Sequence, residues 1–373
     1  MESDKKKKMV FSILAGLGLY LLSAGISYAG FKYLNKDGSS SPISPLGTEE
    51  GRAQLNLDAP KTEECPLNGE MFTRTEKAIW EKKRPLGIMV ENHLDSRPQS
   101  GLAGADVVYE AVAEGGITRF LAVFYCRAAA KDVLVGPVRS ARTYFLDWIS
   151  EYADYPLYAH VGGANLPGKA NALGQVGDYG WLAMGNDLNQ FSLGYPTFWR
   201  DYERLGRPVA TEHTMYSKTD RLWEAAEKRG LTQTDEDGNR WDEEFTPWKF
   251  EDAAEEKGSV AKISLSFWDY ADYDVRWDYD RETNVYRRSN GGQSHQDLNS
   301  GHQMTASVVI VQFSRETGPI DELKHLLYQT IGTGEAIIFQ NGQVIEGSWA
   351  KESRTERTIF YNEQKKEVAF SRG

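Results

Sequence analysis

Cysteine is scarce in this chain: Cys65 and Cys126 are its only 2. No CxxC pair can be written from them, which removes dithiol redox chemistry and cysteine-rich zinc modules from consideration. Surplus positive charge is missing as well. The chain carries 43 basic residues against 54 acidic ones, a formal net charge of -11. A phosphate backbone demands the opposite balance, so nucleic acid is not expected as a partner. Neither a GxSxG elbow nor an HExxH helix occurs. The 6 histidines are scattered. His295 with Asp297, and Glu212 with His213, are pairs that fall short of the three or four convergent ligands of a metal site, so no metal and no cofactor is expected. Two partial signatures fail on inspection: residues 163–169 spell GxxxxGK, but Ala170 stands where a phosphate-binding loop needs a hydroxyl, and residues 348–351 spell SxxK without a KTG partner.

What is present begins with one long uncharged run. Behind the basic stretch Lys5 to Lys8, residues 9–31 contain no charged side chain, enough helix to cross a hydrocarbon core of about 30 Å. The basic flank places the N-terminus inside. Residues 1–31 are therefore expected to be a membrane anchor contacting the cytoplasmic membrane through 9–31. The alternative is a signal sequence cleaved after Ala29, behind the small-x-small site Ser27-Tyr28-Ala29. Either outcome puts the remainder at the outer face of that membrane or secretes it. In that compartment Cys65 and Cys126 are expected to form a disulfide, the competing state being a buried free Cys126.

Residues 32–66 turn to Gly, Ser, Pro and Asn and read as a flexible tether. A helix is expected from Thr73, where Thr73 and Glu76 match a capping box. Strands are expected at 86–91, 107–113, 120–126, 133–137 and 157–161, a helix at 141–152 with Arg142 in its first turn, and a helix at 220–229. The glycine-rich stretch 162–206 lacks periodicity and reads as a functional loop. A first domain at 67–232, an acidic solvated connector at 233–258 and a second domain at 259–373 follow. In the second, strands are expected at 261–268, 285–288, 306–313 and 336–339, a hairpin at Asn341-Gly342, and one helix at 320–329. The expected class is α+β: a layered α/β first domain with a mixed sheet, then a smaller β-rich domain. The 10 Trp and 19 Tyr are expected mainly in the cores.

Three turns combine arginine with small residues: RPQSGL at 97–102, EGGITR at 114–119 and GPVRSAR at 136–142. Arg97, Arg119, Arg139 and Arg142 would clamp an anionic or glycan-like ligand, or a protein partner, at one edge of the first sheet. Gln99, Ser100, Thr118, Ser140 and His160 would add neutral hydrogen bonds, the Gly115 and Gly116 amides would approach the same group, and Glu114 and His213 complete the proposed mouth. A cell-wall polymer or an envelope protein is the expected partner. The competing arrangement is an internal ion network with Glu91, Asp106, Glu110 and Glu114. A reading from another class makes Glu110 and Glu114 the paired carboxylates of a glycan-cleaving enzyme. Neighbouring arginines favour the ionised form, which handicaps a general acid.

The string RPLGIMVENHLDSRPQSGLAGADVVYEAVAEGGITRF, then GPVRSAR, FWRD and EHTMYSK, resembles the YerB-like family of bacterial envelope lipoproteins, whose function is unknown. WDYD at 277–280, YRR at 286–288, HQD at 295–297, the strand at 306–313 and GSWAK at 347–351 extend the resemblance to about Cys65 through Gly373. It implies two α+β domains on the outer face of the cytoplasmic membrane and no established reaction. Relatives usually carry a lipidated cysteine where this chain has Leu21-Leu22-Ser23-Ala24-Gly25, so an anchor here is expected to be the apolar helix. Relatives also generally continue past Gly373 with another aromatic strand.

Overall fold

The computed structural model describes residues 59–152 and 155–373. The expected anchor and the tether up to residue 58 lie outside the described residues, among which no helix is long and apolar enough to cross a membrane.

The first half is organised by β1 (Leu86–Glu91), whose six residues are all buried. A strand covered on both faces has to be continuously apolar. Leu86, Ile88 and Val90 face one core and Met89 the other. β2 (Val107–Glu114) and β3 (Ile117–Phe124) form a hairpin, and β4 (Leu157–His160) and β5 (Asp187–Asn189) complete a sheet in the order β2-β3-β1-β4-β5. β3 runs antiparallel to β1, while β4 and β5 run parallel to it, so the sheet is mixed. One face packs on α1 (Arg74–Trp80) and α2 (Thr143–Ile149). Gly87 is required there, because a Cβ on it would lie 2.5 Å from Ile149 Cδ1. The other face packs on a small three-stranded sheet (Leu134–Val135, Phe198–Arg200, Met215–Lys218) and on α3 (Thr219–Glu227).

The second half is β-rich, with mixed-length strands and no long helix. β6 (Lys262–Leu265), β7 (Val275–Asp280), β8 (Val285–Asn290) and β9 (Gln293–Ser294) form one antiparallel sheet. β10 (Val308–Gln312), β11 (Gly332–Gln340), β12 (Gln343–Lys351) and β13 (Ile359–Asn362) form another. Asn341 and Gly342, at φ of 54° and 68°, make the two-residue turn between β11 and β12, as left-handed hairpin turns require. All described residues belong to one compact unit.

Several local expectations are corrected. Arg142 is the N-cap of α2, with extended backbone, and not part of its first turn. The stretch 162–206 is built into the fold: it contains helices Ala172–Asp178, Trp181–Met184 and Gln190–Leu193 and supplies the edge strand β5. No helix forms at 320–329. Asp321 accepts the Leu323 and His325 amides at 3.0 and 3.2 Å, and Lys324 takes a φ of 64°; a side-chain acceptor offers the backbone a turn in place of a helix. Trp241 in the acidic stretch is buried and meets Tyr125 edge-on, with ring centroids 5.1 Å apart. The capping box forms as written, with Glu76 N donating to Thr73 Oγ1 at 3.2 Å and Thr73 N to Glu76 Oε2 at 2.7 Å.

Cys65 and Cys126 form a disulfide across a sequence separation of 61. It ties the entry segment to the end of β3, where buried Asp106 accepts the Tyr125 and Arg127 amides at 2.6 and 3.1 Å. Loop-closure entropy of that size is worth about 4 kcal/mol as an upper figure. Replacing both cysteines with serine is expected to lower unfolding free energy by about 2–4 kcal/mol in denaturant titrations; an unchanged midpoint would show that the bridge constrains nothing.

Candidate functional site

The four arginines of the glycine-bearing turns do come to the same end of the first sheet, but each is engaged. Glu91 and Arg119 are cross-strand neighbours in β1 and β3. The 137–141 segment threads beside them, with Arg139 N donating to Met89 O at 2.9 Å and Val161 N to Arg139 O at 3.1 Å. Arg139 Nε donates to Glu91 Oε1 at 3.0 Å, and the other Glu91 oxygen accepts from His213 Nδ1 at 2.8 Å. Arg119 Nη1 donates to Ser140 O at 2.9 Å and its Nη2 lies 3.5 Å from Glu114. Arg142 is paired with the same Glu114. Burial alone pushes the Glu114 carboxyl up, yet the Arg119 and Arg142 guanidinia outweigh it and hold it below its ordinary value. Burial, with Arg142 alongside, pushes Arg119 down to about 10.

Arg97 has a different task. Its Nε and Nη2 donate to Asn92 and its Nη1 to Asp272 O, at 2.8 Å, in the second half, while its guanidinium lies over the Tyr273 ring at 4.9 Å. Gln99 Oε1 accepts from His295 Nε2 at 2.8 Å, and the Gln99 amide donates to Glu91 O and Asn92 Oδ1. Ser100 Oγ accepts from Arg204 at 3.1 Å. His160 is fully buried between Gly162 O at 2.7 Å and Asp187 Oδ1 at 2.6 Å and braces β4 against β5. Thr118 donates to Glu110 Oε1 at 2.7 Å.

Glu110 and Glu151 reach across to the other half. Arg288 Nη2 lies 2.6 Å from Glu110 Oε2, with the Arg288 side chain 4% exposed. Glu151 lies 3.2 Å from both Lys351 Nζ and Arg357 Nη1, and also accepts Thr358 N at 3.2 Å and Thr358 Oγ1 at 2.5 Å. Asn290 donates to Asn92 at 3.0 Å, and Asp297 accepts the Ala103 amide at 3.0 Å. These bonds make a buried polar seam along the two halves. Arg288, Asn290 and the latch role of His295 were not anticipated; residues so distant in the chain give no local signal of meeting.

The open part of this edge is where the β2–β3 hairpin tip meets the second half. Trp268 and Tyr270 stand with ring centroids 6.5 Å apart at 27°, Tyr270 is 52% exposed, and with Asp269 they line a cleft of about 490 Å³. A Cβ on Gly116 would come within 2.3 Å of the Tyr270 ring, whereas one on Gly115 would meet nothing within 4 Å. Both glycines have positive φ, 58° and 80°, as the two-residue turn demands. Glu114, at the root of the same tip, lies 4.0 Å from His325 Nε2.

Residues 67–232 match the N-terminal domain, and residues 263–373 the C-terminal domain, of a family described as "Protein of unknown function (DUF3048)". A relative from Bacillus subtilis, described as "Putative lipoprotein YerB", is 30% identical over 299 residues, covering 78% of this chain and 79% of the relative. The chain belongs to the DUF3048 family. A crystal structure of the YerB protein from Bacillus subtilis superposes with a TM-score of 0.64 at 26% identity, over 84% of this chain and 94% of that one. Many strings that carry the family resemblance lie on the seam: ENH supplies Asn92, RPQ supplies Arg97 and Gln99, YRR supplies Arg288, and HQD supplies His295 and Asp297.

Burial, reinforced by Arg288 and Arg97, pushes His295 well below its ordinary value. The unfolded chain takes up a proton at this residue near pH 6.5 and the folded chain does not, so its contribution is complete above that pH and is lost as pH falls below it. His295→Gln is expected to remove up to about 1.4 kcal/mol per pH unit of that slope between about pH 6.5 and 5. Stability curves of the two proteins measured across that window, if parallel, would contradict the neutral latch.

Proposed function

We propose that this protein is an extracytoplasmic envelope component, held at the membrane by the uncharged run at 9–31, that binds a glycan on the Trp268–Tyr270 face beside the Gly115–Gly116 tip. The aromatic pair bounded by that tip, Tyr270 exposed and Trp268 half-buried, carries the reading. Aromatic faces accept the apolar faces of sugar rings, and glycines let a chain approach closely. Asp269 in the cleft and Glu316, which accepts the Trp268 indole N–H at 3.3 Å, offset the charge of the paired Arg119 and Arg142, so aromatic contact and hydrogen bonding, not net charge, would select the glycan. The description of the Bacillus subtilis relative as a lipoprotein supports the envelope location.

Support for cleavage is weak by comparison. Glu110 is bound to Arg288 and Thr118, and Glu114 is held toward the ionised form. A glycosidase needs one carboxyl kept protonated as general acid.

Calorimetric titration of the detergent-solubilised protein with soluble peptidoglycan fragments tests the proposal. Heat release is expected, with affinity weakened about tenfold in Trp268→Ala and in Tyr270→Ala. Equal binding by wild type and both variants, or no heat with any of the three, would count against it.

A further inference from the structure

The end of β1 holds a second constellation, beside Glu91. His93, Asp95 and His213 each offer a ligand atom, all within 4.8 Å of one another. His93 follows β1 directly, Asp95 sits in the short turn Leu94–Ser96 that β1 leads into, and His213 ends the turn Thr211–His213. The carboxyl end of a sheet strand is where open α/β sheets place their ligands.

The geometry points to a divalent transition-metal site of the zinc class formed by His93, Asp95 and His213. Three features carry this. First, the buried His213 ring is fixed by the 2.8 Å bond from its Nδ1 to Glu91 Oε2. With its proton donated to a carboxylate, Nδ1 leaves the Nε2 lone pair as the available ligand, the carboxylate–histidine arrangement that orients metal-binding imidazoles. Second, His213 Nε2 has no hydrogen-bond partner among the described residues, and the His93 ring lies against it with centroids 4.8 Å apart. Third, two imidazoles and one carboxylate drawn from two turns make three protein ligands, the number that leaves a coordination position open on zinc.

Capture of an ion needs a small closure. The edge of a tetrahedron with zinc–ligand bonds near 2.0–2.1 Å is about 3.4 Å, so atoms now up to 4.8 Å apart must draw in by up to about 1.4 Å. The His93 ring must also turn out of its stack and give up one bond, the 3.1 Å hydrogen bond that its Nδ1 accepts from the Asp95 amide. Both His93 and Asp95 are at the surface, with side chains 33% and 60% exposed, so this motion disturbs no core. Arg207, 3.8 Å from Asp95 Oδ1 and with 44% of its side chain exposed, is displaced in the same step.

The test uses the full-length chain in detergent, stripped with chelator, desalted and titrated with Co²⁺, followed by competition with Zn²⁺. One equivalent of Co²⁺ is expected to give visible d–d bands that Zn²⁺ abolishes. His93→Ala, Asp95→Asn and His213→Ala should each lose the bands, Glu91→Gln should weaken binding about 10- to 100-fold, and His302→Ala should change nothing. If His213→Ala fails to fold, the exposed His93 and Asp95 variants decide, with their thermal transitions confirming intact structure. Absence of the bands in wild type, or bands that persist in His93→Ala and Asp95→Asn, would overturn the assignment.

Discussion

Two carboxylates of the first half, the half-buried Glu110 and the fully buried Glu151, are held by cations of the second, and the arrangement of everything else follows from them. Glu151 has a fully buried side chain and faces Lys351, Arg357 and two donors of Thr358. A carboxylate removed from water without such partners would be strongly destabilising, and so would the orphaned cations. Burial pushes the Lys351 ammonium below its ordinary value, while Glu151 pulls it back up. The pairs thus contribute less through net attraction than through the cost of separation. Each half carries charges that only the other can satisfy, so the halves are specified as partners. The hairpin tip at Gly115–Gly116 and the aromatic pair Trp268–Tyr270 belong to different halves, and their meeting depends on that lock.

This changes the meaning of the arginine turns. Their density and their glycines point to a site, and they do converge. Arg119 and Arg142 are paired with Glu114 and Arg139 with Glu91, while Arg97 is a rivet between the halves. The internal network weighed against a ligand clamp is present for Glu91 and Glu114. Glu110 turns instead to Arg288, and Asp106 caps the backbone at Tyr125 and Arg127. What stays open to solvent is aromatic and histidine-bearing, not a ring of free cations.

Local physics explains which features were legible in the sequence. β1 could be read from its unbroken apolar run, the helix after Thr73 from its capping box, and the β11–β12 turn from Asn341-Gly342, because each depends on residues within a few positions. The disulfide followed from compartment and parity. The helix at 320–329 was misread because an apolar spacing cannot reveal that Asp321 captures two amides. The aromatic cleft and the histidine pair were hidden for a different reason: Gly116 and Tyr270, or His93 and His213, become neighbours only through tertiary docking. His213 carried a faint signal in its acidic neighbour Glu212, but its true partner is Glu91.

The most direct test of the seam is a double-mutant cycle on Glu110 and Arg288, reading unfolding free energy for Glu110→Gln, Arg288→Met and the pair. Glu110→Gln is predicted to cost about 3–5 kcal/mol by leaving the buried Arg288 without its counter-charge, Arg288→Met to cost less because Thr118 and Asn92 still donate to the half-buried Glu110, and the double variant to cost less than the sum by at least about 1 kcal/mol. Strictly additive costs would contradict the claim that these two groups hold the halves together.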